Sequence, residues 1–245
     1  MFLDAIDRFR AFVRGKGGSR ERHLTGGGTL REVVFGANDG LVSNVALVAG
    51  VAGGTTDGGV ILLGGIAGAV AGAISMALGA YISTKSEREF RDSEEARERW
   101  EVEHMREEEL AETRHIFRLK GITGPLLDEV VAAVSRDHDQ WVKLMMTEEL
   151  GFAEEAPKPG VDAVVMGISF AIAAAFPVAP YLFLEGTAAL LASLGFTGVA
   201  LFLVAGWRAY LTRGAILKKS LEMVVLAGIA VAVANGIGRL VGINL

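Results

Sequence analysis

Five long apolar stretches alternate with polar segments along the chain. A bilayer core about 30 Å thick requires about 20 apolar residues in a helix. Five stretches reach this length, at residues 33–53, 59–83, 161–183, 187–207 and 221–238. Glycine is frequent, with 32 residues, and proline is rare, with 5, a balance unlike that of ordinary soluble domains. We therefore predict an all-α integral membrane protein with five transmembrane helices.

Lysine and arginine are distributed unevenly between these stretches. The links at 54–58 and 184–186 contain neither residue, whereas the N-terminus, residues 85–160 and the link at 208–219 are basic. Because basic segments tend to stay on the cytoplasmic side, we predict that the N-terminus is cytoplasmic and the C-terminus is outside. Apolar and charged residues alternate at the N-terminus, which favours a helix lying on the membrane surface over a cleavable secretory signal.

The pattern divides the chain into four parts. These are a cytoplasmic amphipathic segment at 1–32, transmembrane helices 1 and 2 at 33–84, a cytoplasmic acidic module at 85–158, and transmembrane helices 3 to 5 at 159–245. The acidic module holds 20 of the 29 acidic residues. Since neither Gly nor Pro occurs from Ala80 to Lys120, we predict one unbroken helix that continues the second span. Two shorter helices are expected at about 126–136 and 139–150.

Acidic and thioether side chains share a face of the long helix. At 100° per residue they fall within a stripe about 80° wide, which contains Glu98, Glu101, Met105, Glu109 and Glu112. Met145, Met146 and Glu149 form a second group on the last helix of the module. Carboxylates bind hard divalent cations, and thioether sulfur adds a preference for softer transition metals. The alternative is that the 12 acidic and 9 basic residues of 85–120 only form ion pairs along the helix.

Two Glu-x-x-His motifs, ending at His104 and His115, point to a different chemistry. This spacing occurs in di-iron carboxylate proteins, where separate helices supply the motifs. Here both motifs lie on one helix, so a di-iron centre would need a facing helix from a partner chain. The motifs leave a membrane-anchored ferroxidase, or an iron-storage protein that uses the acidic module, as the alternative function.

Asp39 lies inside the first apolar stretch. A charged residue at the centre of a membrane helix costs about 2.5–3.5 kcal/mol and usually faces a pathway or a partner. Glu32 and Ser43 extend the face of Asp39, and Met76 reaches a similar depth in the second span, so we predict a transport pathway along these residues. A carboxyl group that is protonated in apolar surroundings must release its proton to bind a cation, which is the chemistry of a metal/proton exchanger. The alternative is a polar packing contact.

Three sequences in this order, "GANDGLVSNVALVAG", "GAISMALGAYISTKSERE" and "WVKLMMTEELG", resemble the vacuolar iron transporter family over nearly the whole chain. The resemblance implies a five-span homodimer with the pathway between the subunits and a cytoplasmic three-helix module that binds metal. It also implies exchange of Fe²⁺ for protons, with Mn²⁺, Co²⁺ or Zn²⁺ handled by some members. Asp39 and Met76 match the membrane ligands, and the module ligands match Glu98, Glu101, Glu109, Glu112, Met145, Met146 and Glu149.

One position departs from the plant pattern, which carries a glutamate at the place of Gly68, so the proton stoichiometry stays open. Gly68 and Gly72 also form a spacing that permits close helix approach, within one chain or between two. No nucleotide-binding motif of the Walker or Rossmann type is present. We therefore expect a secondary transporter that requires no cofactor and binds no nucleotide or nucleic acid. It would lie in the plasma membrane of a prokaryote or the vacuolar membrane of a plant or fungus.

Overall fold

A computed structural model describes residues 27–153 and 155–242, which form eight α-helices and no strand. The predicted surface helix at the N-terminus falls almost entirely outside the described residues. In chain order the helices are α1 (Gly27–Gly54), α2 (Gly58–His104), α3 (Arg106–Leu119), α4 (Pro125–Val134), α5 (His138–Glu148), α6 (Pro159–Val178), α7 (Gly186–Leu211) and α8 (Ile216–Gly242). The all-α prediction is confirmed.

Five of these helices, α1, α2, α6, α7 and α8, are long and apolar enough to cross a membrane, as predicted. Their ends follow local sequence signals. The Asp57 carboxylate caps α2 by accepting a hydrogen bond from the Gly59 backbone N–H at 2.8 Å. Pro177 lies in the last turn of α6, which continues as a short 3-10 helix over Ala179–Leu182. The chain is therefore a multi-pass membrane protein.

Helix α1 lies at the centre of the membrane domain and packs against α2, α6, α7 and α8. Close packing depends on small residues. A methyl group at Gly40 would collide with the backbone oxygen of Phe170 in α6, and one at Gly238 in α8 would collide with the backbone oxygen of Gly50. The backbones of these helices therefore touch, which requires glycine at these positions.

Gly68 and Gly72 also serve packing within the chain. A Cβ atom at Gly68 would lie 2.8 Å from the Leu47 side chain, and one at Gly72 would collide with the Phe170 ring. Both glycines therefore face helices of their own chain, so this spacing serves close helix approach within one chain.

Much of the apolar surface of these helices is not covered by the rest of the chain. Only 11% of the apolar window of α2 and 6% of that of α8 is buried, compared with 39% for α1. A surface of this kind is stable against lipid or against another membrane protein.

The prediction of one unbroken helix from Ala80 to Lys120 is wrong. Helix α2 ends at His104, Met105 adopts a non-helical conformation with φ −119° and ψ 36°, and α3 begins at Arg106. The cause is tertiary, since Arg106 donates a hydrogen bond to the backbone oxygen of Ser135 at 3.0 Å and lies over the Trp141 ring at 5.1 Å. These contacts turn α3 toward α4 and α5, and no local breaker residue is needed.

Candidate metal centre

Three glutamates from three different helices converge in the acidic module. Glu98 lies on the polar half of α2, Glu109 on α3, and Glu149 directly after α5. One carboxylate oxygen from each lies within 4.8 Å of the others. We call these three residues the carboxylate group. Oxygen ligands at this spacing suit a divalent cation.

The bend at Met105 brings the carboxylate group together. On a straight helix, Glu98 and Glu109 would be about 16 Å apart along the axis, which their side chains could not span. After the bend, α3 leaves the direction of α2 and the two carboxyl groups meet. Arg106 fixes this direction, because its guanidinium also donates to Nε2 of His138 at 3.3 Å at the start of α5.

Two members of the carboxylate group, Glu98 and Glu109, are buried, whereas Glu149 is exposed. Arg97 is a nearby positive charge that partly offsets the rise in the pKa of Glu149. Glu98 is 1% exposed and Glu109 is 4% exposed. Oε1 of Glu98 and Oε2 of Glu109 have no hydrogen-bond partner among the described residues. Buried polar atoms without a partner are rare in stable proteins, so these two oxygens are available to a cation, a proton or a water molecule.

The electrostatics of the carboxylate group favour proton or metal binding. Burial raises the pKa of Glu98 to about 8, and the negative charges of Glu109 and Glu149 add to the rise. Burial and then the charge of Glu112 raise the pKa of Glu109 to about 7. The pKa of Glu149 is also raised, first by burial and then by Glu112 and Glu101. A divalent cation would replace the bound proton and relieve the repulsion among the carboxylates.

Two further predicted ligands lie at the margin of this group. Glu101 is half-buried and pairs with Arg97 at 3.7 Å, and Glu112 is exposed. Both are close enough to raise the pKa of Glu149.

The predicted thioether ligands are buried within the acidic module. Met145 is 0% exposed and Met146 is 4% exposed, and both pack in a hydrophobic cluster with Val102 and Trp141. Met145 lies one helical turn before Glu149. Its Sδ atom lies 3.6 Å from Oγ1 of Thr113.

Sequence reasoning missed the two residues that support this region. Trp141 and Thr113 are both fully buried, and Nε1 of Trp141 donates a hydrogen bond to Oγ1 of Thr113 at 2.8 Å. The hydroxyl group of Thr113 lies 2.7 Å from the backbone oxygen of Glu109. The only available sequence signal was the spacing of four residues between Glu109 and Thr113, which places them on one face of α3.

The histidines of the two Glu-x-x-His motifs do not join the carboxylate group. His104 is exposed, stacks on Trp100 with ring centroids 4.7 Å apart, and donates from Nδ1 to the Trp100 backbone oxygen at 2.9 Å. His115 is also exposed. The group of possible metal ligands found in the described part of the chain consists of glutamates alone.

Within the membrane domain, the positions next to Asp39 and one turn before Met76 both approach Phe170 of α6. Substituted Cβ atoms at Gly40, next to Asp39, and at Gly72, one turn before Met76, would both meet Phe170 of α6. Both Asp39 and Met76 are half-buried in the chain. Among the described residues, no hydrogen bond or ion pair reaches the Asp39 carboxylate.

The other two predicted pathway residues differ in their surroundings. Glu32 is 6% exposed and pairs with Nε of Arg31 at 3.4 Å. Ser43 is exposed and donates its hydroxyl hydrogen to the backbone oxygen of Asp39 at 2.6 Å, so it does not contact the carboxylate. The face of α1 that carries these residues therefore runs from a buried end at Glu32 to an exposed position at Ser43.

The chain is similar to known proteins of one family. A family model described as the VIT family matches residues 30–239. Vacuolar iron transporter 1 of Eucalyptus grandis is 33% identical over 224 residues, covering 91% of this chain and 90% of the relative. The protein of the same name from Oryza sativa subsp. japonica is 32% identical over 223 residues, covering 90% and 88%. The chain therefore belongs to the VIT family, as its resemblance to vacuolar iron transporters predicts.

Proposed function

We propose that this protein exports a divalent transition metal, Fe²⁺ and/or Mn²⁺, from the cytoplasm in exchange for protons. Its membership of the VIT family and its similarity to proteins named vacuolar iron transporters support a metal transporter. The observation that carries the exchange mechanism is Asp39. It is a half-buried carboxyl group inside an apolar helix, with no partner among the described residues.

Proton exchange follows from the location of Asp39. In apolar surroundings the neutral carboxyl group is favoured, whereas a bound cation requires the carboxylate. Metal entry therefore releases a proton and metal departure takes one up. The Met76 thioether at similar depth supplies a ligand that accepts transition metals more readily than Mg²⁺ or Ca²⁺, and buried Glu32 lies seven residues before Asp39 on the same face.

A homodimer would complete this pathway. Phe35, Ser43 and Leu47 are exposed on the side of α1 that carries Asp39. A polar face turned toward lipid is unfavourable, whereas a second copy packed there would enclose it. The transport pathway then lies between the two subunits, as the family resemblance implies.

The acidic module serves as a cytoplasmic collector of metal. Basic residues in the adjacent segments support its location on the cytoplasmic side, and the carboxylate group supports metal binding. A variant with Glu98, Glu101, Glu109 and Glu112 all changed to Ala is expected to transport slowly at low metal and more normally at high metal. Wild-type transport by this variant at low metal would contradict the collecting role.

The decisive experiment measures metal-dependent proton movement in sealed proteoliposomes. A pH dye is trapped inside, and Fe²⁺ under anaerobic conditions or Mn²⁺ is offered outside. The wild type is expected to move protons out of the lumen as metal enters, and Asp39→Asn is expected to abolish both fluxes. Asp57→Asn is the matched control, because Asn can also cap α2. Near-normal flux in Asp39→Asn would contradict the proposal, and binding without any flux would indicate a sensor.

A ferroxidase is less well supported, because His104 and His115 lie outside the carboxylate group. It would consume oxygen on addition of Fe²⁺, and His104→Ala together with His115→Ala would remove that activity. If purified protein forms Fe³⁺ no faster than buffer, this alternative fails.

A further inference from the structure

The buried hydroxyl group of Thr113 lies between the backbone of Glu109, a member of the carboxylate group, and the Met145 thioether. It accepts a hydrogen bond from Nε1 of Trp141 at 2.8 Å. It also lies 2.7 Å from the backbone oxygen of Glu109 and 3.6 Å from Sδ of Met145. Thr113, Trp141 and Met145 are all 0% exposed, so water does not compete for these contacts.

The single hydroxyl proton can be assigned from these distances. A threonine hydroxyl donates one hydrogen bond and accepts up to two. The separation from the Glu109 oxygen is that of an ordinary O–H···O bond, whereas a thioether is a weak acceptor. The proton therefore points to the Glu109 backbone oxygen, and the sulfur lone pairs of Met145 stay available for a metal.

The same contacts fix where the sulfur lies. Met side chains have three rotatable bonds and fill space adaptably, so a thioether ligand needs a support to hold it in one position. Oγ1 of Thr113 touches Sδ, and the Trp141 N–H holds Oγ1 in place. Met145 lies one turn before Glu149, a member of the carboxylate group.

We propose that Thr113 is a positioning residue that holds the Met145 thioether toward the carboxylate group and so makes the centre prefer thioether-accepting metals over Mn²⁺. This inference rests on the proposed function, in which the carboxylate group and Met145 collect metal. Without the hydroxyl group, the Trp141 N–H loses its acceptor, the side chains around the sulfur repack, and the thioether is no longer held in one position. The carboxylate oxygens then dominate the centre. Such a centre still binds Co²⁺ more tightly than Mn²⁺, but the margin between the two metals narrows.

The test compares the dissociation constants of Co²⁺ and Mn²⁺ for the full-length chain in detergent, measured by competition with a chelator. Thr113→Val removes the hydroxyl group with little change of shape, and Met145→Leu removes the thioether. Loss of a residue that orients a metal ligand typically weakens binding by about 10- to 100-fold. We expect Thr113→Val to weaken the binding of Co²⁺ by about 10-fold and the binding of Mn²⁺ by less than about 3-fold. Thr113→Ser, which keeps the hydroxyl group, should retain the wild-type ratio of the two constants.

A double variant separates positioning from a general structural effect. If Thr113 acts through the sulfur, the double variant Thr113→Val with Met145→Leu should have the same ratio of Co²⁺ and Mn²⁺ dissociation constants as Met145→Leu alone. An equal loss of affinity for both metals in Thr113→Val would overturn the proposal. If Thr113→Val does not fold, Thr113→Ala answers the same question.

Two outcomes separate this inference from the proposed function. If Met145→Leu changes the ratio and Thr113→Val does not, the positioning role is wrong and metal collection stands. If Glu98→Gln with Glu109→Gln leaves both affinities unchanged, metal collection by the carboxylate group is wrong, and the inference falls with it.

Discussion

Metal binding to the carboxylate group is expected to weaken steeply as the pH falls from 8 to 6. Glu98, with a pKa of about 8, and Glu109, with a pKa of about 7, both bind protons in this range. A divalent cation needs ionised carboxylates, so every proton that binds competes with the metal. Ordinary surface glutamates titrate near 4.3 and would give no such dependence above pH 6.

The size of the effect follows from the two pKa values. Because the carboxyl groups interact, they lose their protons as a pair. With apparent pKa values of about 7 and about 8, both groups are ionised in roughly half of the molecules at pH 8 and in roughly 0.1% at pH 6. The apparent affinity should therefore fall by roughly 500-fold over two pH units.

The assay is equilibrium binding of Co²⁺ or Mn²⁺ to detergent-solubilised protein, using a chelator calibrated at pH 6, 7 and 8. The double variant Glu98→Gln with Glu109→Gln should bind weakly and vary by less than about 10-fold over the same range. Glu129→Gln, which changes an exposed glutamate of α4, is the matched control and should behave as the wild type. A wild-type change below about 10-fold would refute the assignment of these carboxyl groups as the metal site.

Two further predictions concern stability. The pKa of Glu98 in the folded chain, about 8, lies above its ordinary value of 4.5. The stability that this group contributes is therefore present below about pH 4.5 and is lost as the pH rises through about 8. The thermal unfolding midpoint of the metal-free protein should fall between pH 5 and 8.5, and Glu98→Gln should make it depend less on pH, whereas a midpoint that rises with pH would contradict this prediction. Gly238→Ala should destabilise the chain by about 1–3 kcal/mol through overpacking, because the added methyl group collides with the backbone of Gly50. Gly228→Ala is the control on the same helix, because its methyl group meets no atom within 4 Å, and it should be neutral or stabilising in thermal unfolding. Equal effects of the two substitutions would exclude the packing explanation.

The membrane spans were predictable because the bilayer fixes their length. An apolar run of about 20 residues has few other stable structures, so each predicted stretch coincides with an observed helix. Local residues then set the ends, as Asp57 does before α2 and Pro177 near the end of α6. None of this depends on contacts between distant parts of the chain.

The candidate metal centre was harder to predict from the sequence. Helical periodicity placed Glu98 and Glu109 on one stripe of a straight helix, where they would lie too far apart to share an ion. They meet because the chain bends at Met105, and the bend is held by the contacts of Arg106 with α5 and the turn before it. Such contacts join residues about thirty positions apart, which a local pattern does not encode. Thr113 escaped notice for the same reason.

Under the proposed function the carboxylate group collects metal and must also release it, and burial of Glu98 and Glu109 provides the means. Three exposed, permanently ionised carboxylates would hold a cation without competition from protons at neutral pH. In the folded module, burial raises the pKa values of Glu98 and Glu109 to about 8 and about 7, so protons compete with metal near the pH of the cytoplasm. The affinity is thereby held down and becomes sensitive to small pH changes. Under the proposed exchange, protons that enter through the Asp39 pathway arrive on the module side of the membrane, where they favour release of metal from the carboxylate group and its passage to the pathway.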